Sequence, residues 1–161
     1  MPAEPFHFLA PLGFLAFFAA MWLGIGGLLA YLSGWITFAR TFRTTIDGNG
    51  ERFRFASGAI GASKWFPVNY RNCLTLDVGR EGLRLAMFFP FRFLCPPLFI
   101  PWQAVESVAE ERFWMVKYSV IRVRGFSARI LVRGQAGEKV RSAYAAARSG
   151  TQSPGKGDAN R

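Results

Sequence analysis

The chain has 161 residues, 51% of them hydrophobic, and twenty Lys and Arg against ten Asp and Glu give it a net charge of +10. That length holds one membrane segment and about 120 further residues, enough for one small domain and no second one. A pI near 10.6 implies an anionic neighbour, but the basic residues form no cluster longer than two, which sets nucleic acid aside in favour of an acidic lipid leaflet.

The leader Met1–His7 holds Glu4 and no Lys or Arg. Residues 8–39 then run without a charged side chain, and their densest part, 12–32, carries ten Leu, Ile or Phe. At 1.5 Å per residue that part is roughly 30 Å long, one bilayer core. The reading is a transmembrane helix over 8–39, with its span at about 12–36. A cleaved signal peptide is the alternative, but it would open on positive charge and have a shorter apolar region. A helical hairpin bent at residues 24–27 would leave about fifteen residues per arm, short of a span. All twenty Lys and Arg and nine of the ten acids follow Ala39, so the part beyond the helix carries +11 and the leader −1. The positive-inside rule then places the leader outside and the rest in the cytoplasm of a bacterial inner membrane. Tyr31, Trp35 and Phe38 fit an inner aromatic belt. Ala16, Ala20 and Gly24 lie four apart, as do Gly26, Ala30 and Gly34. Such rows can form a helix-association face for a homo- or hetero-oligomer, or simply reflect how common small residues are in membrane helices.

Residues 40–68 read as a juxtamembrane hairpin and loop. Asp47-Gly48-Asn49-Gly50 is a turn signal between the alternating runs Phe42–Ile46 and Arg52–Phe55. Arg40, Arg43, Arg52, Arg54 and Lys64 are candidate contacts to anionic phospholipid headgroups; a solvated strand face accounts for them equally well. Ser57–Asn69 reads as irregular, and Lys64-Trp65-Phe66 as an interfacial contact or a loop packed on its own domain.

Residues 69–148 read as a mainly-β domain. Cys73–Val78 and Leu83–Met87 alternate as a hairpin, with Leu74, Leu76, Val78, Leu83, Leu85 and Met87 inward and Thr75, Asp77 and Arg84 outward. Ala86–Trp102 is apolar enough to suggest a second span, yet Pro90, Pro96, Pro97, Pro101 and Arg92 make a membrane helix too costly. It reads as an aromatic loop and a short strand over Leu98–Trp102, either filling the core or dipping into the interface. Strands follow at 105–111, 117–124 and 128–132. Val140, Ala143, Tyr144 and Ala147 then form the stripe of a short C-terminal helix, and 149–161 reads as a disordered tail. Cys73 and Cys95 are expected as free thiols in a reducing compartment.

Leu74-Thr75-Leu76, the turn and strand Glu81–Leu85, and Leu98–Trp102 followed by Val105 resemble bacterial PH-like and GRAM-like membrane-associated domains over residues 69–148. The resemblance implies an antiparallel PH-like barrel closed by its C-terminal helix, acting as a binding or scaffolding module without catalytic residues. No dense basic loop matches the phosphoinositide site of some members. The single histidine, His7, lies in the leader, which excludes a His-assisted nucleophile in the domain. The two cysteines lack zinc spacing, no carboxylate can be set opposite Glu110-Glu111, and no cofactor or metal is expected. The expectation is a single-pass anchored binding protein presenting a basic domain at the leaflet. The alternative is an accessory subunit of a larger membrane complex, docked through its helix and the Phe88–Phe99 surface.

Overall fold

The computed structural model describes residues 9–61, 67–89, 91–113 and 115–151. The first helix, α1 (Leu9–Leu32), is apolar on every side and so marks no single face for a core. It ends at Ser33-Gly34. The Ser33 hydroxyl donates to the Ala30 carbonyl (3.1 Å), and Gly34 takes a left-handed φ of +79°, open to glycine at little cost. The chain then re-forms a helix, α2 (Trp35–Phe42). The helix expected over 8–39 is thus two helices, broken where the apolar run contains a serine and a left-handed glycine.

α2 belongs to the domain. Trp35 and Phe38 are fully buried, and the Trp35 indole donates to the Pro96 carbonyl at 3.0 Å. Phe38 stacks on Phe126 with ring centroids 4.7 Å apart. Burying two such rings contributes roughly 2–3 kcal/mol each, more than a membrane interface offers them. The aromatic belt expected of Trp35 and Phe38 is therefore corrected; Tyr31 stays 72% exposed.

The hairpin expected over 41–56 does not form. Residues 43–50 run as a linker from α2 along the outer face of the sheet, touching it at Thr44 (amide to the Pro97 carbonyl, 2.9 Å) and at the Arg43–Leu98 bridge. A Cβ on Gly48 would lie 2.7 Å from the Asp77 Cβ, and one on Gly50 would lie 2.2 Å from the Val78 carbonyl oxygen. These glycines permit close approach to the sheet, a need that looks like turn chemistry in the sequence.

Seven antiparallel strands follow: β1 (Glu51–Gly61), β2 (Val68–Val78), β3 (Gly82–Met87), β4 (Leu98–Pro101), β5 (Val105–Phe113), β6 (Val116–Val123) and β7 (Arg129–Arg133). Their order is β4-β3-β2-β1-β7-β6-β5. The sheet curls into a half-barrel, its two outer strands joined through the 3-10 turn Trp102–Ala104. β1 pairs with both β2 and β7, so Ser57–Gly61, expected to be irregular, is central strand and Val68 and Asn69 open β2, while residues 62–66 lie outside the described residues. Bulges interrupt β1 around Phe55 and Ala56. Phe55 (φ +57°) and Asn72 (φ +52°) sit there in left-handed backbone, costing roughly 1–2 kcal/mol for a residue like Phe55. The β2–β3 hairpin forms as expected.

α3 (Gln135–Thr151) packs against β2, β5, β6 and β7. Its expected stripe is the one that docks: Val140 and Tyr144 are buried, Ala143 and Ala147 half-buried. The Tyr144 hydroxyl donates to the Glu106 carbonyl at 3.0 Å. Leu74, Leu76, Leu83, Leu85, Leu98, Ile100, Ile121 and Ile130 form the core with α3 and with Trp35 and Phe38 of α2.

Candidate membrane-facing surface

Residues 10–32 form a helix long and apolar enough to cross a membrane, with mean hydropathy 2.0 and no fully buried residue over an 18-residue stretch. Leu12, Phe14, Leu15 and Phe17 are each more than 60% exposed. An apolar surface of that extent is not left to water by a stable monomer. Lower down, α1 meets its own domain. Trp22 packs on Phe91 (ring centroids 5.0 Å), Ala30 is buried, and a Cβ on Gly26 would lie 2.7 Å from Leu94 Cδ1.

The two small-residue rows therefore part company. Gly26 and Ala30 are covered by the domain, and Gly34 forms the helix break, so that row is no free association face. Ala16, Ala20 and Gly24 stay exposed, with nothing within 4 Å of a Cβ on Gly24.

Beside the lower half of α1 lies the β3–β4 connection. The choice posed for Ala86–Trp102 has a divided answer. Met87, Cys95, Leu98, Ile100 and Trp102 are core, while Phe88 (52%), Phe89 (63%) and Phe93 (76%) are exposed. Phe55, held outward by its left-handed backbone, joins them with its ring 5.8 Å from that of Phe88. Between loop and helix is a recess of about 260 Å³, lined by Gly26, Leu29, Tyr70, Phe91 and Leu94, with Arg71 at it. Burial pushes the Tyr70 phenol up to about 12, the Ser33 hydroxyl opposing it, and pushes the Cys95 thiol up to about 12. Both cysteines are free.

The cations proposed from sequence separate as well. Arg40, Arg43 and Arg54 are exposed and form no ion pair among the described residues. Lys64 lies outside the described residues. Arg52 is already engaged: its Nε donates to Asp77 Oδ1 at 2.6 Å, near the β2–β3 turn. Asp77 and Arg84, expected to face solvent, are buried instead. Arg84 Nη1 donates to Asp77 Oδ2 at 2.9 Å, and Arg84 Nη2 meets Asp47 at 3.4 Å. Arg52, Asp77 and Arg84 are direct cross-strand partners on β1, β2 and β3, and the linker at Asp47-Gly48 covers them. The period-2 pattern put Asp77 and Arg84 on one outward face and left Arg52 in a separate hairpin. It could not show that the linker would roof that face.

Glu110 is held between Lys117 (3.2 Å) and Arg141. These two cations, Lys117 first, hold its carboxyl below the usual range. Glu111 pairs with Arg122 at 3.6 Å. Among the described residues no three His, Cys, Asp or Glu converge as metal ligands. In comparison with known proteins, no family model matches the chain and no curated protein is significantly similar to it.

Proposed function

We propose that this chain is a single-pass membrane protein, N-terminus outside, whose basic β domain is held on the cytoplasmic leaflet as a binding or scaffolding module without catalysis of its own. One observation carries the reading: a 24-residue helix, apolar on all sides, whose residues 10–20 are all exposed. The curled antiparallel sheet closed by a C-terminal helix supports the PH-like resemblance of the domain. The excess of Lys and Arg after the helix supports its cytoplasmic placement. Arg40, Arg43 and Arg54 are free to meet lipid phosphates, each worth about 1 kcal/mol near an anionic surface.

The test uses the full chain with a C-terminal tag. It should sediment with membranes, resist alkaline extraction, and yield the tag to protease only after the inner membrane is opened. Release into a detergent-free supernatant, or cleavage of the tag outside unbroken spheroplasts, refutes the reading. A second reading, an accessory subunit docked through α1 and the Phe88–Phe99 surface, draws on the exposed phenylalanines. It predicts one stoichiometric protein partner after mild-detergent purification.

A further inference from the structure

The height at which the β3–β4 loop meets α1 has a consequence. Resting on the reading that α1 crosses the bilayer, we propose that Phe88, Phe89 and Phe93 of this loop, with Phe55 of β1, are inserted among the acyl chains of the leaflet that α1 leaves. The domain is then embedded in that leaflet and does not hang below it.

The argument begins with length. A hydrocarbon core of about 30 Å needs about twenty helical residues. Residues 9–21, the part of α1 above the loop, supply only thirteen, or about 20 Å. The span cannot slide outward to make up the difference, because His7 and Glu4 stand just before it. Counted from residue 9, twenty residues end at Leu28. Trp22 and Gly26 therefore lie within the hydrocarbon, and Phe91 and Leu94 lie against them. Tyr31, 72% exposed, falls just past that boundary, where an amphipathic ring is favoured.

The composition of the loop fits the depth. Its side chains at 88, 89 and 93 are exposed apolar rings, with the exposed Arg92 beside them. Part of its backbone is paired internally, the Phe88 amide on the Cys73 carbonyl, the Phe91 amide on the Phe88 carbonyl, and the Leu94 and Cys95 amides on the Phe91 carbonyl. Each such pair lowers the cost of irregular backbone in a medium without water. Arg54, Arg71 and Arg92 border the patch and are long enough to reach phosphates from below the headgroup level. A protein partner would need a complementary surface at the same depth, and nothing on this face selects one over lipid.

Spin labels test the proposal on the full chain in phosphatidylcholine–phosphatidylglycerol vesicles. With Cys73→Ser as background and buried Cys95 left in place, labels go singly on Phe89→Cys, Phe93→Cys, Leu15→Cys and Glu81→Cys. Leu15 reports the span, and Glu81, in the β2–β3 turn at the opposite end of β3, reports water. Phe89 and Phe93 are mostly exposed, so either substitution preserves the fold, and two sites guard against one failing. The expected result is that labels at 89 and 93 collide with oxygen and lose collision with a water-soluble nickel complex, as the label at 15 does. If 89 and 93 behave like 81 while 15 stays shielded from nickel, the embedded loop is overturned and the anchor stands. If 15 also behaves like 81, the anchor reading fails and takes this one with it. Labels at 89 and 93 shielded from nickel and oxygen alike would mean a protein partner covers the loop, which also overturns insertion.

Discussion

Asp77→Asn should unfold the β domain far more readily than its chemistry suggests. The substitution preserves shape but removes the charge and turns one of the two acceptor oxygens into an NH2 donor, and both oxygens accept from arginines here. In the native sheet the Asp77 side chain is 1% exposed and that of Arg84 is 6%, at 2.9 Å. Deleting the anion leaves the buried Arg84 guanidinium with only the exposed, water-screened Asp47 at 3.4 Å, a change that costs about 3–5 kcal/mol. Against a total of about 5–15 kcal/mol that is a large fraction, and for about 100 residues it lowers Tm by about 15 °C or more. Arg52→Ala removes a partner of the same carboxylate at 2.6 Å, but the Arg52 side chain is 38% exposed. Water and salt screen it, so the loss should stay near 1 kcal/mol. The double substitution Asp77→Leu with Arg84→Leu should recover most of the stability, because no charge is left stranded. Thermal unfolding of the full chain in detergent, followed by near-UV circular dichroism, separates the three. An Asp77→Asn protein within 1 kcal/mol of the parent would refute the claim that the roofed ladder holds this sheet together.

Three further outcomes follow from the same geometry. Gly24→Leu should leave domain stability unchanged and alter only crosslinking between copies, whereas Gly26→Leu should loosen the domain from α1 by displacing Leu94, measured as faster proteolysis of the β3–β4 loop. Maleimide at pH 8 should modify at most Cys73 in the folded protein and reach Cys95 only in denaturant, since burial holds the Cys95 thiol at about 12 and the thiolate is the reactive form. Glu110 has a folded-state pKa lowered from 4.5 by Lys117 and Arg141, so its contribution is complete above that pH and is lost as pH falls through the folded value; Glu110→Gln should therefore narrow the stability gap between neutral and acid pH, read from denaturant midpoints.

The sequence was most legible where one physical pattern acted alone. The alternation of Leu74, Leu76 and Val78 against Leu83, Leu85 and Met87, with a turn between, could form little else, and the stripe from Val140 to Ala147 had one apolar face to bury. It was least legible where two causes leave the same residues. Aromatic side chains follow a span for a membrane belt or for a domain core, and Trp35 and Phe38 serve the core. Asp-Gly-Asn-Gly marks a tight turn or a strand lying close across a sheet, and here Gly48 and Gly50 serve the crossing. Both misreadings have one origin. The chain after α1 packs immediately onto segments that come later, the entry to β4 through Pro96 and Pro97 and β2 through Asp77, and no local pattern encodes a contact across nearly thirty residues or more. The candidate surface divided in the same way: Arg40, Arg43 and Arg54 remain exposed, while Arg52 is taken by a carboxylate that alternation had assigned to solvent.

That packing changes what an anchor can do. A flexible linker after a membrane helix lets a domain sample many orientations, and its effect on a partner is one of raised local concentration. Here α1 meets Phe91 and Leu94, α2 is part of the core, and residues 44–50 are fastened to the sheet at Pro97, Asp77 and Val78. No free hinge separates Leu32 from β1, and the break at Gly34 is closed by Ser33 and by Trp35 on Pro96. A domain so fastened keeps one face toward whatever medium surrounds α1. Cutting that coupling takes a Gly-Ser insertion between Leu32 and Ser33, ahead of the buried α2, together with Gly26→Leu to displace Leu94; an insertion after α2 would leave both contacts standing. Any activity that survives the two changes depends on tethering alone, and any activity they abolish depends on orientation.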